Sequence, residues 1–310
     1  SGRVTDRIPG LTQRGSADSP VVLTLGTFDG VHRGHQHLLH RVRREAEARH
    51  AIPVALTFDP PPRCVVDPDE CPAALSDAPE RVALLLAAGA AETHVVRFDA
   101  ALSRWSAERF LDALLAWGRV RALVTGAGFT MGHRRQGDVP FLVRYGAAHG
   151  FDVVTVDALL RRGAVVSSSR VRQELAAGRV GSAASLLGRR YAVPGVVVQG
   201  RSRGHRLGFP TANLEVPRGR CLPATGIYAT YVHVAGRRHA AATSIGYNPT
   251  FANQDLSVEP HLIDFDGDLY GRSVRLEFVR RLRGERRFRS EDALRDQIRK
   301  DVGRTRSYLR

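Results

Sequence analysis

The sequence predicts an α/β protein of two domains, a parallel sheet with covering helices followed by a small antiparallel β-barrel that closes with a helix. Three observations carry that expectation. The 310 residues suffice for two cores of ordinary size. From residue 20 to about 185, apolar strand-like runs alternate with longer helical patterns, the rhythm of a parallel sheet. After residues 188–190 the runs become short, β-rich and separated by Gly, Pro and Asn, the rhythm of a barrel. The boundary is therefore expected near residue 187, giving domains 1–187 and 188–310.

Each element has a local reason. VVLTL at 21–25 is a short continuous apolar run, a strand buried on both faces. Apolar periodicity then predicts a helix from about 34 to 46–50, a strand at 53–58, a helix at 81–88 and a strand at 93–98. Ser106 precedes the helical run to 117 and can cap it. Strands at 122–125 and 151–156 and a helix at 169–177 complete the first domain. The second reads as strands at 191–199, 226–234, 240–245, 258–264 and 274–279, then a helix from 290 to 309 whose start is favoured by Ser290, Glu291 and Asp292. No internal repeat or low-complexity segment interrupts this order.

Composition narrows the class. Hydrophobic content of 43% and charged content of 25% are those of a soluble globular chain. No uninterrupted apolar run reaches the length of a membrane span, and the opening SGRVTDRIPGLTQRG lacks the apolar centre of a secretory signal, so a cytoplasmic location without membrane association is expected. Cys64, Cys71 and Cys221 show no C-x-x-C spacing and no neighbouring histidine cluster; neither a disulfide framework nor a zinc site is expected. The formal net charge is +15, carried by arginine with Lys300 the only lysine. These cations are scattered, and no helix-turn-helix, zinc-finger or RNA-recognition sequence accompanies them. The pattern fits anionic small molecules better than a nucleic-acid groove.

The densest chemistry lies in PVVLTLGTFDGVHRGHQHLLH, residues 20–40. Gly26, Gly30 and Gly34 allow a tight turn and close approach of backbone to phosphate. His32 and His35 flank Gly34 where a helix N-terminus would add its own positive end. Two imidazoles placed there suit charge stabilisation on a polyphosphate attacked at its α-phosphorus. A second anion-facing element is VVSSSRVRQEL, where Ser167, Ser168 and Ser169 precede a helix and Arg172 follows one turn in. In the second half, GRSRGHRLGFPTANL at 200–214 combines three glycines, three arginines and PTAN. Thr211 and Asn213, two apart on an extended segment, point the same way and suit a hard cation such as Mg²⁺ that also holds ATP phosphates.

The string Gly26-Thr27-Phe28-Asp29-Gly30-Val31-His32-Arg33-Gly34-His35 resembles the nucleotidylyltransferase signature of the prokaryotic bifunctional riboflavin kinase/FMN adenylyltransferase (FAD synthetase) family. Residues 166–172 are similar to that family's I-S-S-T-x-x-R segment, and 200–213 to its G-x-G-R-G-x-x-L-G-F-P-T-A-N segment. The resemblance covers about residues 20–308 and implies a Rossmann-like nucleotidylyltransferase domain followed by a riboflavin kinase-like barrel. It implies nucleotide contacts from Gly26, Phe28, Asp29, Gly30, Gly34, Ser168, Ser169 and Arg172 in the first domain. In the second it implies them from Gly200, Arg203, Gly204, Gly208, Pro210, Thr211 and Asn248. It further implies flavin contacts from Phe58, Asp59, Gly126 and Phe129, and Mg²⁺ held by Thr211 and Asn213.

Glu259, in SVEPHLIDFDGDLYG, stands where the family has its catalytic glutamate, and a primary alcohol attacking a γ-phosphorus needs such a base. Asp264, Asp266 and Asp268 beside it are turn formers or ligands. Riboflavin, FMN and ATP are the implied small-molecule partners, FMN and FAD the products, and a monomer or weak homo-oligomer the implied state. The chain departs from the family pattern at Pro61, where a histidine is usual, at Gly128 and Met131 in the following loop, and at Ser202. The first three predict adenylyl transfer slower than the kinase step or directed to a modified acceptor; the Ser202 change stiffens the loop. Two alternatives stand beside the bifunctional enzyme, a kinase whose first domain has altered nucleotide or flavin specificity and a non-catalytic flavin- or nucleotide-binding regulator.

Overall fold

The computed structural model describes residues 6–12, 19–199, 209, 211–247 and 256–309. The chain divides into two compact units that meet at Ser168/Ser169.

The first unit is built on a parallel sheet of β1 (Val21–Leu25), β2 (Ile52–Asp59), β3 (Glu92–Arg97), β4 (Val120–Gly126) and β7 (Asp152–Val156), in the order β3-β2-β1-β4-β7. Every residue of β1 is buried, Thr24 included, as expected of a central strand that is apolar at its other four positions. One sheet face packs Leu23, Leu25, Leu56 and Leu123 against Phe110, Leu111 and Leu114 of α4 (Ala107–Trp117) and Leu142 of α5 (Val139–His149). The other packs Val22, Ala122 and Val124 against Val42 and Ala46 of α1 (Arg33–Ala48). Phe28, Leu39, Ala55 and Leu85 form a third cluster under α3 (Ala78–Ala87). From β1 the chain builds outward through β2 and β3, then returns to the opposite side for β4 and β7. The strand ends of β1 and β4 therefore flank the topological switch point, where open α/β sheets bind ligands.

Small pieces complete this unit: α2 (Pro62–Val66), the ribbon of β5 (Thr130–Met131) with β6 (Gly137–Asp138), and that of β8 (Leu160–Arg161) with β9 (Ala164–Val165). Cys64 and Cys71 are joined by a disulfide with Cα atoms 4.4 Å apart, which corrects the expectation of unpaired cysteines. The turn from α2 into the short 3-10 helix Pro68–Glu70 folds the chain back on itself and brings the two side chains together.

The second unit opens with α6 (Ser168–Ala176) and α7 (Val180–Leu187), then forms a six-stranded antiparallel sheet. Its strands are β10 (Ala192–Val198), β11 (Asn213–Glu215), β12 (Gly226–Val234), β13 (Arg237–Tyr247), β14 (Leu256–Leu262) and β15 (Ser273–Arg283), ordered β11-β10-β15-β12-β13-β14. The Ala212 N–H donates to Pro260 O at 2.9 Å, so the first and last strands meet and the sheet nearly closes into a barrel. Alternation sets the faces: Val274, Leu276 and Phe278 of β15 and Val258, Pro260 and Leu262 of β14 are buried, their neighbours less so. The terminal helix α8 (Glu291–Leu309) is anchored where Tyr231 Oη donates to Leu309 O and where buried Asp301 pairs with Arg283 at 2.8 Å; Lys300 on the same helix is exposed.

With the compact units divided at Ser168/Ser169, the two helices that precede the barrel lie in the same unit as the barrel. Ala224 N–H donates to Leu175 O of α6, and Val180, Ala183, Leu186 and Leu187 of α7 are buried.

Candidate functional site

The first unit's site grows from the end of β1. Gly26 N–H donates to Leu56 O at 3.1 Å, and a Cβ on Gly26 would stand 3.1 Å from the Phe28 ring. Phe28, Gly30 and Val31 then take φ values of 51°, 76° and 37°, all left-handed, which coils the loop tightly. For a β-branched valine that conformation is strained and must be imposed by its surroundings. The imposing group is Asp29, only 5% exposed. Its carboxylate accepts from the Leu75 N–H at 3.0 Å and from the Ser76 N–H and hydroxyl at 3.0 and 3.2 Å. Ser76 Oγ in turn accepts from Gly30 N–H at 2.8 Å, and Ser168 Oγ donates to Asp29 O at 2.8 Å. Asp29 was expected to face nucleotide; its carboxylate is instead engaged by backbone amides that fix the loop.

The loop delivers two histidines to the start of α1. His32 is the N-cap, its Nδ1 accepting the His35 N–H at 3.3 Å. The two rings stack with centroids 3.6 Å apart and planes 18° apart, and the Phe28 ring meets His35 edge-on at 5.2 Å. Gly34 is required between them, since a Cβ there would lie 3.0 Å from the His32 ring and 3.2 Å from Val166 O. Burial, and then the like charge of His32, hold the His35 imidazole well below the ordinary histidine range. Its Nδ1 is buried with no hydrogen-bond partner among the described residues. At neutral pH His35 is thus a neutral ring that offers hydrogen bonds.

The expected flavin residues fall on neighbouring strand ends. Phe58 and Asp59 end β2, with Phe58 edge-on to Phe98 at 5.8 Å and Asp59, half exposed, paired to Arg81 at 3.1 Å. Gly126 ends β4 with open space around the position of a Cβ, as has Gly128. Phe129 N–H donates to Gly126 O at 3.0 Å, and its half-buried ring packs on the core. Gly26, Phe58, Asp59 and Gly126 thus lie at the carboxyl ends of the adjacent strands β1, β2 and β4. Ser168 starts α6 at the close of this unit. Exposed Ser169 and half-buried Arg172 follow on the same helix, within the second unit.

In the second unit, the candidate site is the seam of the barrel. The Ala212 to Pro260 bond sets Thr211 and Asn213 beside Glu259, all three partly exposed. Glu259 of β14 pairs in register with Ser244 of β13 and lies on the face opposite buried Val258 and Pro260. His261, on the same face as Glu259, meets the Phe209 ring edge-on at 5.4 Å. Asp268 accepts the Tyr270 N–H at 2.8 Å and Asp264 pairs with Arg306, so both serve turns and packing. Gly200, Arg203, Gly204, Gly208, Pro210 and Asn248 lie outside the described residues.

No group of three or more His, Cys, Asp or Glu among the described residues would hold a metal by itself. Thr211 and Asn213 offer oxygens, with one carboxylate at Glu259. Such a set fits Mg²⁺, a hard cation that keeps waters and takes much of its coordination from substrate phosphates.

Sequence reading missed Leu75, Ser76 and Arg81, which shape the loop from a distance. A lone serine and an arginine inside an apolar helical run carried no signal of that role.

Comparison with known proteins identifies the family. The FAD synthetase family model matches residues 15–170 and the riboflavin kinase (flavokinase) model residues 187–309. Bifunctional riboflavin kinase/FMN adenylyltransferases are similar over nearly the whole chain. The Escherichia coli K12 protein is 36% identical, covering 93% of this chain and 92% of its own. The Pseudomonas fluorescens protein is 38% identical, covering 92% of each, and the Bacillus subtilis protein 32% identical, covering 90% of each. A crystal structure described as a macrolide-efflux protein from Streptococcus pneumoniae aligns with a TM-score of 0.86 at 30% identity, covering 93% of this chain and 94% of that one. In the chain described here, no helix among the described residues is long and apolar enough to cross a membrane. Two family models laid end to end, and relatives that share both halves in the same order, lead to one conclusion: the chain belongs to the bifunctional riboflavin kinase/FMN adenylyltransferase family.

Proposed function

We propose that the chain makes FAD from riboflavin in two ATP-dependent steps, phosphorylation to FMN in the barrel and adenylylation of FMN in the parallel-sheet unit. Family membership supports both steps, and the observation that carries the assignment of sites is the barrel seam, where the bond from Ala212 to Pro260 sets Thr211 and Asn213 against Glu259.

In the barrel, Glu259 accepts the proton of riboflavin's primary hydroxyl as that oxygen attacks the γ-phosphorus of ATP, and ADP leaves. Thr211 and Asn213 hold the phosphates with Mg²⁺, which when bound neutralises charge between them. In the first unit, an FMN phosphate oxygen attacks the α-phosphorus of ATP and pyrophosphate leaves. The coiled loop at 26–31 and the N-terminal amides of α1 receive the polyphosphate. His32 and His35 donate hydrogen bonds to it, and the strand ends at Phe58, Asp59 and Gly126 receive the flavin. Pro61, Gly128 and Met131 alter the flavin side of this site, so FAD formation is the slower step.

Chromatography of products from riboflavin, ATP and Mg²⁺ tests the scheme. FMN should accumulate ahead of FAD, and FAD appearing as fast as FMN would make the three departures harmless. Glu259→Gln should lower FMN formation by 100-fold or more, on the order of a general base's contribution. FAD formation from supplied FMN should remain. Equal loss of both activities in a folded variant would contradict separate sites.

A further inference from the structure

Arg81 is the largest fully buried side chain among the described residues, 2% exposed on α3. A buried guanidinium is costly unless its donors are met. Here one nitrogen donates to Ser76 O at 3.0 Å and another to Phe58 O at 2.9 Å and Asp59 Oδ1 at 3.1 Å. Only Nε lacks a partner among the described residues. The acceptors belong to two structures with different tasks. Phe58 and Asp59 end β2, on the flavin side of the site. Ser76 holds Asp29 and Gly30, and through them the strained loop that leads to His32. One run of buried bonds therefore links the flavin strand to the phosphate loop, and a planar fork is needed at its centre because two carbonyls and a carboxylate must be met from one side chain.

We propose that Arg81, acting through Ser76 and Asp29, is a positioning residue for adenylyl transfer. It fixes the end of β2 and the loop at 26–31 in one register, so that the acceptor phosphate and the donor's α-phosphorus meet in line. The inference rests on the adenylyltransferase reading of this unit. Misplacement of about 1 Å at a reacting centre costs on the order of 100-fold in rate. Loss of the brace therefore lowers kcat while leaving ATP binding near its original strength.

Steady-state kinetics of FAD formation from FMN, with calorimetric ATP titration of the same preparations, tests this. Arg81→Met should lower kcat about 100-fold with the ATP Kd moved by less than about threefold, and Arg81→Lys should recover part of the rate. Ser76→Ala should lose about tenfold, and the double variant should be no worse than Arg81→Met, since both act on one run of bonds. The riboflavin kinase step of each variant should be unchanged. If the wild-type protein makes no FAD, the adenylyltransferase reading fails. If it makes FAD and an ATP-binding Arg81→Met stays within twofold of it, or the two substitutions add in full, the brace is refuted. Should Arg81→Met not bind ATP, Arg81→Lys and Ser76→Ala decide the matter by the same kcat criterion.

Discussion

At the scale of single residues, His35 makes a measurable statement about acid stability. Its imidazole, desolvated and stacked on His32, protonates well below the ordinary histidine range in the folded protein. The unfolded chain takes up that proton near pH 6.5. Below that point the unfolded state binds more protons than the folded one, so the contribution is whole above about pH 6.5 and is lost as pH falls toward the folded pKa. Both tryptophans, Trp105 and Trp117, lie in the first unit, so their fluorescence during urea unfolding follows that unit. Its midpoint should drop between pH 7.5 and 5.5, and drop less in His35→Asn; parallel losses would remove His35 as the cause. His32, Gly34 and His35 were legible because they sit within four residues of one another. Ser76 and Arg81 were not, because Ser76 reaches Gly30 across 46 positions and Arg81 reaches Phe58 across 23, contacts that no local pattern announces.

At the scale of elements, legibility followed the strength of local signals. β1 and α1 stand where an apolar run and a 3.6-residue period put them, and Ser106 caps α4 by accepting the Arg109 N–H at 3.1 Å. Ser106→Ala should therefore lower stability by about 1 kcal/mol, typical of a lost N-cap, read as a lower urea midpoint at unchanged slope. No change would mean that solvent replaces the cap. The helix α5 went unread because its aromatics, Gly146 and an early proline dilute the helical pattern, although Asp138 caps it through the Phe141 N–H at 2.8 Å. α7 was hidden by its run of Gly, Ser and Ala, which reads as linker until Val180, Leu186 and Leu187 are seen buried. β11 is three residues long and owes its place to pairing with β10. The disulfide escaped notice because its seven-residue spacing matches no common framework.

At the scale of the whole molecule, each unit carries its own core and its own candidate site. Separate sites lead us to expect that FMN released by one protein molecule serves as substrate for another. Glu259→Gln, unable to make FMN, and Arg81→Met, slow to consume it, should together convert riboflavin to FAD at a rate far above either alone; a mixture no faster than the better variant would mean that FMN does not pass between molecules. The charge of this chain has a practical side as well. Forty-six arginines and lysines include one lysine, exposed on α8. Apart from the α-amino group, an amine-directed dye or biotin reagent will therefore find a single side chain on which to settle, leaving every guanidinium untouched, so the barrel's closing helix can be tagged or tethered without any engineered handle.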